Sequence, residues 1–214
     1  MNVENKKPLA VVIPIYRESL DYRELSRLRI SLSHFNSDVF FIGPESLERS
    51  WYIANFPMIN NVKFPDAGFA NRRRYSRWMM KSALYDHFRN YEFLLICQTD
   101  AVVTKPFPNE LLYGFDFDYV GAPWVPGYQV SWNPLSGRVG EDASRITKRW
   151  IQVGNGGLSL RRVRAFRRAT RLLPRVRGRE NEDKVFSYFS RLITLKVASR
   201  QVAGSLFMEQ ETKD

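Results

Sequence analysis

Apolar residues fall along this chain in short unbroken runs that alternate with stretches where they recur every three or four positions. Residues 9–15, LAVVIPI, are a β-rich apolar run cut off by polar Tyr16-Arg17-Glu18-Ser19, the pattern of a buried strand opening into a loop. Leu25, Leu28, Leu32 and Phe35 then keep helical spacing, which predicts an amphipathic helix over 22–35. Residues 38–43, DVFFIG, form a second strand with Gly43-Pro44 as its breaker. Strand, helix, strand opens a βαβ series, so the class is α/β with a mostly parallel central sheet flanked by helices. Residues 45–69, rich in Asn and Pro, have no period and read as irregular.

The clearest helix spans 70–90: Asn71 can cap it, and Tyr75, Trp78, Met79, Ser82, Tyr85 and Phe88 share a face, while Arg73, Arg77, Lys81 and Arg89 lie largely elsewhere. It leads into 91–103, YEFLLICQTDAVV, where a continuous apolar run ends abruptly in Gln98-Thr99-Asp100. Such a run fits a buried parallel strand, although periodicity alone leaves a buried helical turn open. A carboxylate at the carboxyl end of that strand stands where open α/β sheets bind ligands.

Beyond it, a short helix is expected over 109–113 and a brief strand over 118–121. Residues 121–140 carry Gly, Pro, Trp and Ser without period and read as a long, mobile loop. Residues 150–153 read as a strand, 154–157 (GNGG) as a glycine turn, and 158–160 as the strand's continuation. Val163, Phe166, Thr170 and Leu173 then form a helical face opposite Arg161, Arg162, Arg164, Arg167, Arg168 and Arg171, with Pro174 as the stop. A basic linker over 175–179, a helix over 182–190 capped by Asn181, a weak strand over 196–198 and a frayed end over 209–214 complete the reading. The whole chain, apart from frayed residues 1–8 and 210–214, reads as a single domain.

Composition changes this picture in three ways. Hydrophobic residues are 44% and charged residues 26% of the 214, an ordinary globular balance. Lys and Arg number 33 against 22 Asp and Glu, and the net charge of +11 favours an anionic partner: nucleic acid, an anionic membrane surface or a phosphorylated small molecule. The sole cysteine, Cys97, lies inside an apolar run, so an internal disulfide is impossible and a reducing compartment is consistent. The N-terminus lacks the residue order of a signal peptide, and no stretch approaches the roughly 20 apolar residues of a membrane span. The expected location is therefore cytoplasmic, with peripheral membrane contact as the most that is expected.

Three groups of residues can carry chemistry. Asp100 can hold a divalent cation against a leaving pyrophosphate, or can simply cap the following turn. Asn155-Gly156-Gly157 offers backbone that a ligand can approach closely, or is only a turn. Glu182-Asp183 can place a general base at a helix start, or can merely favour the helix dipole. Asp116-Phe117-Asp118 is literally Asp-x-Asp but has no apolar strand to present it, so it reads as a loop-to-strand boundary. Trp124, Tyr128 and Trp132 could stack on a sugar or simply pack.

Taken in order, Pro14-Ile15-Tyr16, a strand capped by Gln-x-Asp, Gly-Asn-Gly-Gly-Leu-Ser and Glu-Asp resemble the nucleotide-diphospho-sugar transferases of the GT-A fold. More narrowly, residues 94–100, 118–124, 154–161 and Glu182-Asp183 look like a bacterial family filed as a domain of unknown function and taken to be glycosyltransferase-like. The resemblance covers roughly 11–209. It implies that Pro14, Tyr16 and Glu18 hold the base and ribose, that Gln98 lies near the ribose, and that Asp100 binds the metal. It further implies that Gly156 and Gly157 lie beside the donor sugar, with Lys81, Thr99 and Asn155 in the donor set. Asp183 would be the general base of an inverting reaction, Glu182 would help hold the acceptor, and Trp124 and Trp132 would contact substrate.

The chain departs from that family pattern at two points. Gln98 replaces a carboxylate, and both histidines, His34 and His87, precede the motif, which leaves Glu209 as the substitute for a late metal-binding His. The expected activity is transfer from a nucleotide-diphosphate sugar, UDP-linked, to a glycan or lipid-linked acceptor in bacterial surface polysaccharide synthesis, assisted by Mn²⁺ or Mg²⁺. Two alternatives stay open. One is a nucleotidyltransferase of similar fold, although residues 11–19 lack the expected glycines; the other is a non-catalytic basic module. For the arginine face a solvated helix surface is the default, anionic lipid the functional reading and nucleic acid the least favoured, with no recognised module to support it.

Overall fold

The first apolar run forms strand β1 (Lys7–Pro14) in the computed structural model of the chain, which describes residues 6–107, 109–174, 176 and 181–207. Helix α1 (Tyr22–Leu32) follows, opened by a capping box in which the Asp21 side chain accepts from the Glu24 N–H and the Glu24 carboxylate accepts from the Asp21 N–H. Strand β2 (Asp38–Pro44) is the second apolar run.

The stretch expected to be irregular holds instead helix α2 (Ser50–Asn55) and strand β3 (Asn60–Phe64). Periodicity missed β3 because it is the outermost strand, with mostly exposed polar side chains and no apolar run to announce it. Helix α2 is only six residues long, and its anchor is the fully buried Tyr52, packed on Phe41.

The long helix expected over 70–90 is two, α3 (Arg72–Met79) and α4 (Ala83–His87), with Asn71 capping the first as expected. The break is satisfied internally. The buried Tyr85 hydroxyl donates to the Met79 carbonyl at 3.2 Å, supplying a partner at the helix end that continuation would otherwise have provided.

Strand β4 (Tyr91–Cys97) then enters the sheet. The expected short helix is a 3₁₀ turn over Asn109–Leu112. The expected mobile loop is mostly strand: β5 (Tyr119–Asn133) runs on to β6 (Arg138–Gly140), and β7 (Arg149–Arg162) passes straight through the GNGG segment. Register shifts between Gly121 and Tyr128, where β5 pairs with β7, destroy the two-residue alternation that would have revealed the strand.

Helices α5 (Val163–Leu172) and α6 (Glu182–Phe189) fall where expected, although Asn181 starts α6 without a side-chain capping bond. Most of the basic linker, 175 and 177–179, lies outside the described residues. The weak strand over 196–198 is a single bridge between Val197 and Tyr119, and helix α7 (Arg200–Leu206) was not foreseen.

The sheet order is β3-β2-β1-β4-β7-β5-β6. Parallel pairings join β3, β2, β1 and β4, while β7 is antiparallel to both β4 and β5 and β6 is antiparallel to β5. Five of the seven strands therefore run one way. The sheet is buried on both faces: Leu9, Val11 and Ile13 point into one core and Ala10 and Val12 into the other. That is why β1 and β4 read as unbroken apolar runs. The chain order reverses between β1 and β4, and their carboxyl ends open side by side.

Candidate active site

The carboxyl ends of neighbouring strands on either side of an order reversal form a crevice, because the connections leave them in opposite directions. Val12 pairs with Ile96, so Pro14 to Tyr16 leave β1 beside Gln98 to Asp100 leaving β4. With Arg17, Leu20 and Tyr52, residues 14–16 and Thr99 line a shallow depression there. Tyr16 is half exposed, and burial, then the charge of Asp100, raises its hydroxyl pKa, which places the two groups close together. Glu18 is exposed in the same loop.

A residue that sequence reading missed, Glu24, ties this corner together. Its Oε1 accepts from Thr99 Oγ1 at 3.1 Å and pairs with Arg17, while its Oε2 completes the cap of α1. The Tyr52 hydroxyl donates to the Arg17 carbonyl at 3.0 Å and holds the loop from the other side. The spacing Asp21-x-x-Glu24 was the signal available for the cap; nothing in the sequence announced the tie to Thr99.

Asp100 is exposed, and no hydrogen bond or ion pair holds it among the described residues. Among those residues no three His, Cys, Asp or Glu side chains gather into a metal-binding group. Glu209 lies outside the described residues.

Strand β7 brings the glycines to this corner. The Gln98 N–H donates to the Gly157 carbonyl at 2.8 Å, and a Cβ on Gly157 would stand 3.0 Å from Gln98 Oε1. A Cβ on Gly156 would meet Glu182 Oε1 at 2.7 Å, so glycine is what lets β7 and α6 approach this closely. The Gly156 N–H donates to Asp183 Oδ2 at 3.1 Å, and the Asn155 Oδ1 accepts from the Gly157 N–H at 3.0 Å. A continuous series of contacts thus leads from Asp183 through Gly156 and Gly157 to Gln98, two residues from Asp100.

At the start of α6 the two carboxylates differ. Glu182 is buried and receives the Arg161 Nη2 at 3.3 Å. Arg161 is itself fully buried and also bonds Tyr85 Oη at 2.9 Å and Ser159 Oγ at 3.0 Å. Burial alone would lower the Arg161 pKa, but Tyr85, Tyr119 and Glu182 outweigh it and keep the guanidinium firmly charged. Asp183 is half buried, and burial followed by the adjacent Glu182 pushes its carboxyl up to about 7, against the hydrogen bonds from Lys184 and Gly156. Tyr75 on α3 has a buried hydroxyl without a partner, whose pKa burial and then Glu182 raise. Neither Arg161 nor Tyr75 carried any sequence signal as a site residue.

The remaining expectations separate from this corner. Trp124 is buried, edge-on to Tyr128 at 5.2 Å and close against Gly154, so it forms a wall instead of an open stacking platform. Trp132 is partly buried against Phe189, with its Nε1 buried and unpartnered. Lys81 sits exposed in the break between α3 and α4, with no hydrogen bond or ion pair to the acidic residues among those described. Asp118 is engaged by Arg162 at 3.2 Å, and Asp116 by Lys196. Because Arg162 pairs with Phe93 and Leu158 with Cys97, this literal Asp-x-Asp lies at the opposite end of β4 from Asp100.

Fold and site together define an α/β protein with a polar crevice at the reversal of its strand order. The chain belongs to the family described as "Protein of unknown function (DUF5672)", which matches residues 58–214. No curated protein matched the chain. Solved structures with a similar course include a 4-diphosphocytidyl-2C-methyl-D-erythritol synthase, at 14% identity and a TM-score of 0.46, covering 94% of this chain and 98% of the other. Another is a protein assigned as a nucleotide-diphospho-sugar transferase from Desulfovibrio desulfuricans G20, at 11% identity and a TM-score of 0.44, covering 89% of this chain and 78% of the other.

Proposed function

We propose that the protein is a glycosyltransferase that moves a sugar from a nucleotide-diphosphate donor, UDP-linked, to a hydroxyl of a glycan or lipid-linked acceptor in bacterial surface polysaccharide synthesis, with inversion. The observation that supports this best is the series of contacts that joins Asp183 through Gly156-Gly157 to Gln98, two residues from Asp100 and beside the depression lined by Tyr16 and Thr99.

In this reading the loop 14–18 and Gln98 receive the nucleoside, and the donor sugar lies beside the Gly156-Gly157 segment, whose glycines let Asp183 and Gln98 come close to β7. Asp183 takes the proton of the acceptor hydroxyl as that oxygen bonds to the anomeric carbon and the bond to the diphosphate breaks. A carboxylate poised near neutrality suits this task, since it is a usable base and still draws the proton effectively. Glu182, fixed by Arg161, is an oriented acceptor for a second substrate hydroxyl.

Asp100 fits a Mn²⁺ or Mg²⁺ ion of the kind bound by one or two carboxylates, water and substrate phosphates, and does not fit a closed protein cage. Such an ion would neutralise charge on the departing diphosphate.

The test is calorimetry with UDP and Mn²⁺, followed by product analysis over a panel of nucleotide sugars. Asp183→Asn should lower transfer by about 10²-fold or more while UDP binding survives. Asp100→Ala should weaken metal-dependent UDP binding as well as transfer. Full transfer by both variants would remove the assignment.

A further inference from the structure

Arg164, Arg167, Arg168 and Arg171 follow one another at spacings of three, one and three along α5, and with Leu172 they line an open concavity of about 360 Å³. Two of the four are engaged within the protein. Arg167 Nε pairs with Asp86 Oδ1 at 2.6 Å, and Arg168 Nη2 donates to the Thr194 carbonyl at 2.9 Å. Asp86 also feels the charge of Arg171, but Arg164 and Arg171 make no hydrogen bond or close ion pair among the described residues, so the face keeps a cationic excess.

Two leucines stand out of the same region. Leu172 is 50% exposed, and Leu192, 59% exposed, lies two residues before the Thr194 that Arg168 grips. A single exposed leucine is ordinary; two of them set among arginines form the pattern of an interfacial contact, apolar tips flanked by cations. Nucleic acid would be better served by stacking platforms, and the exposed aromatic residues Tyr16, Tyr22, Tyr113 and Trp150 all belong to other parts of the chain.

We propose that this face docks the protein on a bilayer containing anionic lipid, with the arginines on headgroup phosphates and Leu172 and Leu192 in the interfacial layer. The proposal is independent of the transfer reading, because neither Asp100 nor Asp183 takes part.

Sedimentation with vesicles of phosphatidylglycerol and phosphatidylcholine, against phosphatidylcholine alone, tests it at about 0.1 M salt. Binding should require the anionic lipid and fall as salt rises. Each arginine contributes about 5-fold, so Arg164→Ala with Arg171→Ala should weaken binding by about 25-fold. Leu192→Ser should weaken it separately, and circular dichroism checks that each variant is folded. Binding without anionic lipid, unchanged binding by the folded double variant, or preference for a single-stranded RNA over the vesicles would overturn the proposal. If the double variant misfolds, the salt titration and Leu192→Ser decide: insensitivity to both overturns it.

Discussion

Asp183 is pulled in opposite directions by its surroundings. Burial and the adjacent Glu182 favour its neutral form, whereas the N–H groups of Gly156 and Lys184 favour the charged one, and the first pair wins. If this carboxylate is the base, kcat/KM should climb with pH and level off above about 7, and a pH–rate profile checks it. Stability should move the other way. The folded state holds this proton more tightly than the unfolded chain, so from about pH 4 to about pH 7 unfolding becomes easier as pH rises. Asp183→Asn should remove that slope and gain on the order of 2 kcal/mol at pH 8 in urea melts, while losing transfer. Arg161 shows the converse dependence. Arg161→Met would leave Glu182 buried without its cation, and a loss of about 3–5 kcal/mol is expected in the same melts. Sequence reading singled out the acidic pair because a carboxylate at that helix start can serve as a general base and because the pair follows the Gln-x-Asp and Gly-Asn-Gly-Gly motifs in order. It passed over Arg161 because one inward arginine among six in eleven residues looks like its neighbours.

At the scale of elements, the GNGG segment of β7 is the clearest correction. Four residues with three glycines read as a turn, yet here they let a strand pass under α6 and beside β5. A Cβ on Gly154 would stand 2.2 Å from Ser187 Oγ, and the φ of +142° already disfavours any side chain. Gly154→Ala should therefore cost about 2–4 kcal/mol in denaturant melts. Gly114→Ala, where φ is +75° but nothing lies within 4 Å, should cost only about 1 kcal/mol and so separates backbone strain from collision. The buried strands β1 and β4 were legible because both faces are covered over 9–14 and 93–97, where every position is apolar. The edge strand β3 and the bulged β5 were not, since exposure on one side and register shifts each erase the pattern that a strand would leave. Similarly, at the division of α3 from α4 the Tyr85 hydroxyl bonds the Met79 carbonyl, a contact that periodicity cannot see.

For the whole molecule, the position of the crevice follows from strand order alone. The βαβ opening predicts a parallel sheet, and the polar end of β4 marks the edge at which open α/β sheets bind ligands. What the sequence could not convey was which distant segments close around that edge, because the ties of Glu24 to Thr99 and of Gly157 to Gln98 join residues more than fifty positions apart. At the end of β4, immediately before Gln98, lies Cys97, the only cysteine of the chain and 1% exposed. Burial and then the charge of Asp100 push its thiol up to about 12, leaving it almost wholly unionised at neutral pH. A cysteine introduced on the surface thus becomes the one sulfur that a maleimide or spin label can reach. The native chain is ready for single-site labelling and distance measurement without removal of its own thiol.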